Sequence, residues 1–457
     1  MEGLPECRRP QTLHPDFSKL KSKEQSIMKN LIKELHLFLI LWSTQSLSQL
    51  GSAMTNFALT LWLYERTGSA LQTALLSVCS YAPYVVTSIF AGALSDRWDK
   101  KKVMLVCDTL AACCSVAVLM LLKAELLRPV HMYFLNAING LMNTVQQPAS
   151  DVAMTMITPK KHYQKTSGMR SFSNSLVTIL HPVFATALFA FAGMDIVIYV
   201  DLFSFAVAFL ALLLGIKLPR VEREKEAEKE TLLEAVKTGL VWLRDNKLVL
   251  VLILFLAGVN FVASAFDAVL PALVLPRENG GEMVLGIVNA CAGIAMMTGS
   301  LAVTILPAPK NRVRVIYLTM LFSLGTENFL LAFTQKPFLW CAGQIIGWIL
   351  VPIMSANLDV ILRTTIPVDM QGRVYSCRNA LQFFTIPIGM FVGGLMVDQV
   401  CEPVMAATDS GMLLKLFGGG KGSGAAMMMF ILGVLGIVIC LGFGRILRRY
   451  RYEESGG

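Results

Sequence analysis

An all-α polytopic membrane protein, with twelve transmembrane helices in two pseudo-symmetric six-helix bundles, is predicted by three observations on this 457-residue sequence. The chain is too apolar for a soluble fold, its apolar runs have the length of bilayer crossings, and its second half repeats features of its first. Hydrophobic residues make up 55% of the chain and charged residues only 16%, with a mean hydropathy of +0.59. Soluble domains carry about 25% charge.

A helix needs about 20 predominantly apolar residues to cross the hydrocarbon core. Twelve runs qualify: 37–64, 71–95, 103–122, 130–157, 171–194, 196–216, 248–276, 283–308, 315–335, 337–362, 379–398 and 425–444. The first is long for an upright helix and predicts tilt or an extension past the bilayer. Residues 1–34 are polar and basic, without the short apolar core or small-residue cleavage site of a secretory leader, and are expected to stay as a cytoplasmic tail.

Placing both termini in the cytoplasm puts 33 of the 40 Lys and Arg on that side, as the positive-inside rule requires. The net charge of +9 then follows from topology, with the cations beside anionic lipid. Nucleic acid is not an expected partner. The predicted location is the bacterial cytoplasmic membrane.

The chain divides into bundles at 35–217 and 247–446, with a C-terminal tail at 447–457. Between the bundles lie residues 218–246; from Lys217 the chain runs through the charge-rich "KLPRVEREKEAEKE". They end in a segment that sets Leu232, Leu233, Val236, Leu240 and Leu243 along one helical face. This predicts an amphipathic helix at the membrane surface.

Ten cysteines are present. Cys79, Cys107, Cys113, Cys114, Cys291, Cys341 and Cys440 fall inside apolar runs, where a thiol behaves as a small hydrophobe. No spacing suggests a metal site or a disulfide framework. No phosphate-binding loop, nucleophile constellation or cofactor motif is found, so neither ATP hydrolysis nor another enzymatic activity is expected.

The repeat is most visible in the eleventh run. Ser171, Asn174, Leu176 and Pro182 match Ser376, Asn379, Leu381 and Pro387 at a constant offset of 205 residues. Gly140, Asp151 and Pro159 match Gly347, Asp359 and Pro367, and Gly92 and Leu94 match Gly299 and Leu301, at 207 or 208. Parallel six-helix repeats are one transporter architecture, with a polar cleft where the halves meet.

Between the second and third runs stands "GALSDRWDKKK". Its Gly92, Leu94, Asp96, Arg97, Lys100 and Lys101 resemble, position by position, the signature of the major facilitator superfamily in that loop. Gly92 permits close helix approach, and Asp96 is an anion able to meet a helix N-terminus, a contact worth about 0.3–2 kcal/mol. The resemblance implies that this terminus belongs to the eleventh span, around Gly372–Ser376 and including Arg373, so that the loop works as a gating latch. The matching loop of the second half puts Val303 where the acid would stand.

Within the superfamily, "LWLYERTGSALQTALLSV", "SDRWDKKKVMLVCD", "EAVKTGLVWLRDNKLVLVLI" and "GRVYSCRNALQFFTIPIGMFVGGLMVD" resemble the drug-efflux branch that includes macrolide and siderophore exporters. One departure is Asn139, where many proton-coupled exporters carry an arginine in the fourth span.

Ionisable residues inside a membrane are costly and mark function. Asp267 and His181 are the leading candidates for proton coupling, with Glu327 and Asp201 behind them. Asn136, Asn139, Asn143 and Gln147 recur at helical spacing and, with Gln45 and Gln49 of the first run, form a candidate cavity lining. "PIGMFVGG", with Pro387, Gly389, Gly393 and Gly394, is a candidate hinge.

The expected function is secondary active export of hydrophobic or amphiphilic small molecules by alternating access, coupled to inward proton movement. The chain is expected to act as a monomer among membrane lipids. Uptake or lipid flipping on the same scaffold, and ligand sensing without transport, are the alternatives.

Overall fold

A computed structural model of the chain describes residues 17–97, 99–159, 162–216, 232–305, 307, 309–367 and 370–448. For 17–32, 88–97 and a few scattered positions it gives the backbone path alone. The described residues are almost entirely helical. The elements are α1 (Phe17–Thr67), α2 (Ala70–Arg97), α3 (Lys100–Lys123), α4 (Pro129–Met156), α5 (Tyr163–Leu210), α6 (Leu232–Asp245), α7 (Lys247–Val274) and α8 (Glu282–Ile305). They continue with α9 (Arg312–Phe333), α10 (Pro337–Ile349), α11 (Val351–Thr365), α12 (Gln371–Phe383), α13 (Thr385–Met396), α14 (Glu402–Ala406), α15 (Gly411–Phe417) and α16 (Ser423–Leu447).

Local chemistry sets several of these ends. The Asp99 carboxylate accepts the Lys102 backbone N–H at 3.1 Å and caps α3. The Asn311 side chain does the same for Arg314 at 2.9 Å and opens α9. Pro129 and Pro337 occupy first helical turns, where a missing N–H costs nothing. α5 is two limbs joined at Gly193, whose φ of 79° and ψ of 175° turn the chain without a loop. The second limb ends in a π-helical turn, Ala211–Gly215.

Among the described residues, eight stretches are long and apolar enough to cross a membrane: Lys100–Lys123, Gly168–Gly215, Lys247–Val274, Glu282–Val303, Arg312–Phe333, Pro337–Thr365, Arg373–Ala406 and Ser423–Leu447. The 48-residue stretch Gly168–Gly215 contains the Gly193 turn. The helices α1 and α4 fall outside this set because they carry amides and hydroxyls: Gln45, Gln49 and Asn56 on one, Asn136, Asn139, Asn143, Gln146 and Gln147 on the other. α1 is 51 residues long. At 1.5 Å per residue it extends far past a hydrocarbon core of about 30 Å, and its helix begins within the segment expected to be a tail.

The helices pack in two groups. In the first, α1 lies along α5, and α4 contacts α2 and α3. In the second, α16 lies along α9 and α7, α13 along α7, and α10 along α8 and α9. The groups meet chiefly where α2 touches α13 and where α5 touches α8.

The linker helix α6 docks on α12. A side chain at Gly239 would run into the Arg373 carbonyl and the Cys377 sulfur, so only glycine allows this approach. Leu243 is buried, whereas Leu240 stays exposed. The first part of the linker, 217–231, lies outside the described residues.

Candidate functional site

A cavity of about 440 Å³ lies inside the first helix group. Its walls come from α1 (Gln45, Gln49, Ser52, Thr55), α3 (Asp108, Ser115), α4 (Asn139, Asn143, Gln146, Gln147) and both limbs of α5 (Arg170, Asp201). α1 and α4 tolerate this polarity because their amides face a shared space instead of lipid.

Two carboxylates stand on its wall. The Ser52 and Ser115 hydroxyls donate to the two oxygens of Asp201 at 3.0 and 2.9 Å. The Gln146 amide donates to Asp108 Oδ1 at 2.5 Å. Gln45 also faces Asp108, but without a hydrogen bond of good geometry. The Arg170 guanidinium is ion-paired with Asp151. Both residues of that pair also line a second, shallower pocket together with Thr155, Pro159 and Tyr163, so the pair stands between the chamber and that pocket.

Of the six residues expected to line a cavity, Gln45, Gln49, Asn139, Asn143 and Gln147 are on this wall. Asn136 is not. Its amide donates to the Leu76 carbonyl of α2 at 2.9 Å and is buried. The reason is the crossing of α2 over α4. A side chain at Gly140 would strike the Ser80 carbonyl, and Tyr133 Oη donates to Gln72 O at 3.2 Å. One end of the polar stripe is therefore covered by α2 while the other opens into the cavity.

Among the remaining acid and base candidates, Asp267 and Glu327 lie within electrostatic reach of one another. Asp201 belongs to the chamber. Asp267 on α7 is accessible, within electrostatic reach of Tyr81 on α2. His181 on α5 donates through Nδ1 to the Val177 carbonyl at 3.0 Å and stands edge-on to Phe57 with ring centroids 5.8 Å apart. Glu327 is buried between α9 and α10, against Gly347.

Between the groups, one rim is clamped, the rim of the α1–α2 turn. Asp398, in the π-helical turn Val397–Cys401 that follows α13, accepts the Ser69 hydroxyl at 2.5 Å, the Ala70 N–H at 3.0 Å and the Leu71 N–H at 2.9 Å. A carboxylate of the second group thus caps the N-terminus of α2 in the first, where backbone N–H groups and the helix dipole favour an anion. Ser69 and Asp398 both lie in strings quoted for the resemblance, but nothing in those strings singles them out, since each stands at the edge of an apolar run, where a polar residue is ordinary.

The hinge candidates support the same contact. Gly389 and Gly393 press on Phe261, Ser264 and Ala265 of α7, and Gly394 presses on Ala70, Leu71 and Ala74 of α2. Pro387 lies three residues past the break between α12 and α13 at Phe384. It has no N–H for the Phe383 carbonyl, which is why the helix is interrupted there. Towards the middle of α2, Tyr84 meets Phe383 with ring centroids 6.2 Å apart. On the α5–α8 seam, Gly286 and Gly293 lie against Thr186 and Ile179.

Gly92, Leu94, Asp96 and Arg97, expected in a loop, fall in the last turns of α2, and only their backbone path is described. Lys101 is described: its ammonium donates to the carbonyls of Leu213 at 3.0 Å and Ile216 at 2.7 Å. It caps the C-terminal end of the second limb of α5, where carbonyls lack helical partners. Arg373 Nη1 approaches Met370 Sδ at 3.5 Å. Among the described residues no group of three or more His, Cys, Asp or Glu is placed to hold a metal ion.

The chain is similar to known proteins in sequence and in fold. It is 24% identical over 370 residues to macrolide efflux protein A of Streptococcus pyogenes, covering 79% of this chain and 90% of that one. It is 24% identical over 359 residues to the multidrug efflux pump Tap of Mycolicibacterium fortuitum, covering 76% and 86%. In fold it resembles the crystal structure of the nucleoside transporter NupG, with a TM-score of 0.63 at 14% identity over 91% of this chain and 100% of that one. It also resembles the bacterial homologue of the human lysosomal transporter Spinster, in an inward-facing and unoccupied conformation, with a TM-score of 0.65 at 13% identity, covering 92% and 99%. The family model that describes such membrane transporters matches residues 41–326, well over half of the sequence; with multi-pass helices, a polar interior and a clamped seam between two helix groups, the chain belongs to the Major Facilitator Superfamily.

Proposed function

We propose that this transporter exports hydrophobic or amphiphilic small molecules, of the size and character of macrolides or siderophores, by alternating access driven by inward proton movement. Twelve crossings in two six-helix bundles, with both termini and α6 on the cytoplasmic side of a bacterial membrane, form the scaffold. The eight apolar stretches, the Gly193 turn and the three further long helices α1, α2 and α4 support that count.

The observation that carries the reading is the asymmetry of the seam. The Asp398 clasp and the glycine contacts of α13 bind the groups together at the rim of the α1–α2 turn. At the opposite rim α12 is braced by α6, a helix of the linker. This is an arrangement closed on one side, and its reversal needs only that the clasp open. In the reversed state Asp96 is the anion that meets the N-terminal end of α12 near Arg373, in the same chemistry at the other rim. The efflux relatives favour outward movement of cargo. Asp267 and His181 stand nearest the seam and are the residues assigned to proton coupling.

Inverted membrane vesicles energised with a proton gradient test the reading. A lipophilic dye or a macrolide is expected to accumulate in vesicles containing the protein and to leak away when a protonophore is added. If no compound in such a panel moves against its gradient, proton-driven drug export is rejected.

A further inference from the structure

Two glutamates meet across the seam. Glu65 lies in the last turn of α1, in the first helix group, and Glu282 is the first residue of α8, in the second. Their side chains are in hydrogen-bond contact. The packing beneath them brings them there. Leu61, one turn before Glu65, is 0% exposed and Leu285, one turn after Glu282, is 1% exposed, and both belong to the same apolar cluster, with Tyr64 and Val284 packed against it. Residues three or four apart share a helix face, so the two faces that carry the glutamates are joined to one apolar body.

Two carboxylates cannot both stay charged in such contact. The contact is attractive when the pair holds one proton, because one carboxyl then donates its O–H to an oxygen of the other. The basic groups of this rim are engaged elsewhere. The Arg66 guanidinium stands over the Trp62 ring at 4.9 Å. Arg277 Nη2 donates to the carbonyls of Phe417 at 2.7 Å and Gly422 at 2.9 Å. Lys123 donates to Tyr199 Oη at 2.5 Å, with Asp195 beside it on α5.

The acids of the rim are engaged too. Asp398 caps α2, and Glu402 accepts the Gly422 and Ala425 N–H groups at 2.9 and 3.3 Å. Tyr64 lies within electrostatic reach of both. Glu278, in the turn before α8, and Lys336, ahead of α10, are exposed. The two glutamates are therefore left to each other.

We infer that Glu65 and Glu282 form a proton-operated switch on the seam: while they share one proton they fasten α1 to α8, and when it leaves, two adjacent carboxylates push the helix groups apart. The Asp398 clasp on the same rim needs no proton, so the two fastenings differ in kind. The clasp closes the rim, and the glutamates set the acidity at which it opens readily. This proton is bound and released at one rim, and it is not the one assigned to Asp267 and His181. With the termini cytoplasmic, a clause that rests on the orientation proposed above, the rim faces outside, so external acid favours the closed rim. The switch itself depends on neither orientation nor cargo.

Pulsed electron resonance on the purified full-length chain in lipid nanodiscs tests it. Spin labels are introduced as unnatural amino acids at the exposed positions Leu126 and Asn279, one on each helix group, so the native cysteines stay. The distance distribution is followed from about pH 5 to about pH 9, a range that spans the titration of paired carboxyls. In the wild type the short distance dominates in acid, and the open-to-closed ratio should rise at least about fivefold with pH, the repulsion of two unit charges about 4 Å apart in bulk water. Glu65→Gln and Glu282→Gln each keep a hydrogen bond without like charges, and both should hold the rim closed across the range. Glu65→Lys puts an opposite charge against Glu282 and should close the rim at the alkaline end; it carries the test if the glutamine variants do not fold. A wild type without a pH step, or a step that persists unchanged in the folded variants, would overturn the proposal. No readout involves cargo, so this failure is distinct from a failure of the export reading.

Discussion

The two helix groups bury different things. In the first, apolar side chains form two separate clusters, one around Met54, Leu63 and Ile198 and one around Leu35, Phe38 and Leu41, with the polar chamber between their levels. In the second, a single continuous cluster runs through α7, α9, α10 and α16, includes Trp340, Phe255 and Leu432, all fully buried, and reaches Leu61 and Ala70 of the first group across the seam. The second group still holds an acid, Glu327, packed without an open chamber: Glu327 Oε1, Gln344 Oε1 and Trp348 Nε1 are buried without hydrogen-bond partners. A dry core resists deformation because its packing is close to crystalline, whereas polar walls around an open space exchange partners at low cost. The first group is therefore the part of the molecule with room for its polar side chains to rearrange, and the second is the more tightly packed.

The largest expected effect tests the dry side. Replacing Trp340 by alanine empties a fully buried site and should lower stability by about 3–5 kcal/mol, read as a fall in the thermal midpoint in detergent. Asn143→Ala, on the wall of the chamber, should change stability by no more than about 0.5 kcal/mol. Equal losses in the two variants would erase the contrast.

Next in size, Gly393→Leu drives a side chain into the Ala265 backbone and forces α13 from α7, at about 1–3 kcal/mol. Membrane insertion should survive while dye transport is lost, and normal transport by a well-expressed variant would remove the glycine face from the mechanism.

Asp398→Asn removes the charge from three hydrogen bonds to the start of α2, a loss of about 1–3 kcal/mol. Since about 1.4 kcal/mol is a factor of ten in a population, pulsed electron resonance distances between spin labels across that rim should broaden towards longer values. An unchanged distribution would mean that apolar packing alone holds the seam.

The smallest effect compares the buried acids. Glu327→Gln keeps the shape and removes a carboxyl that has an unpaired oxygen, so stability should hold or rise by about 1 kcal/mol. Asp201→Asn disturbs two serine bonds and should lower it by about 1 kcal/mol. The opposite order would show that the first group is the better packed of the two.

Much of this contrast is legible in the chain, and the rest is not for identifiable reasons. Helical periodicity marks the amide stripe of α4, and an acid in an apolar run marks Asp201, Asp267 and Glu327. The turn at Gly193 falls two residues before Asp195, the charged residue that separates the fifth and sixth apolar runs. Asn136 has the same spacing as Asn139 and Asn143, yet it contacts α2. Periodicity gives the face of a helix but not the point at which a neighbour crosses it. The clasp joins Ser69 to Asp398 across 329 residues, a pairing that no local pattern encodes. Asp108 stands in the quoted string entering the third run, but its importance depends on Gln146 and Gln45 meeting it from two other helices.

The docking of α6 has a consequence for how the polypeptide can be divided. Because Gly239 brings this helix against the α12 backbone and Leu243 joins the large apolar cluster, α6 belongs by its contacts to the C-terminal fragment, although in the chain it serves as the tether. A gene split just ahead of Leu232 should yield two polypeptides that find one another in the membrane, the second carrying its own brace, while a split after Asp245 strands that brace on the wrong piece.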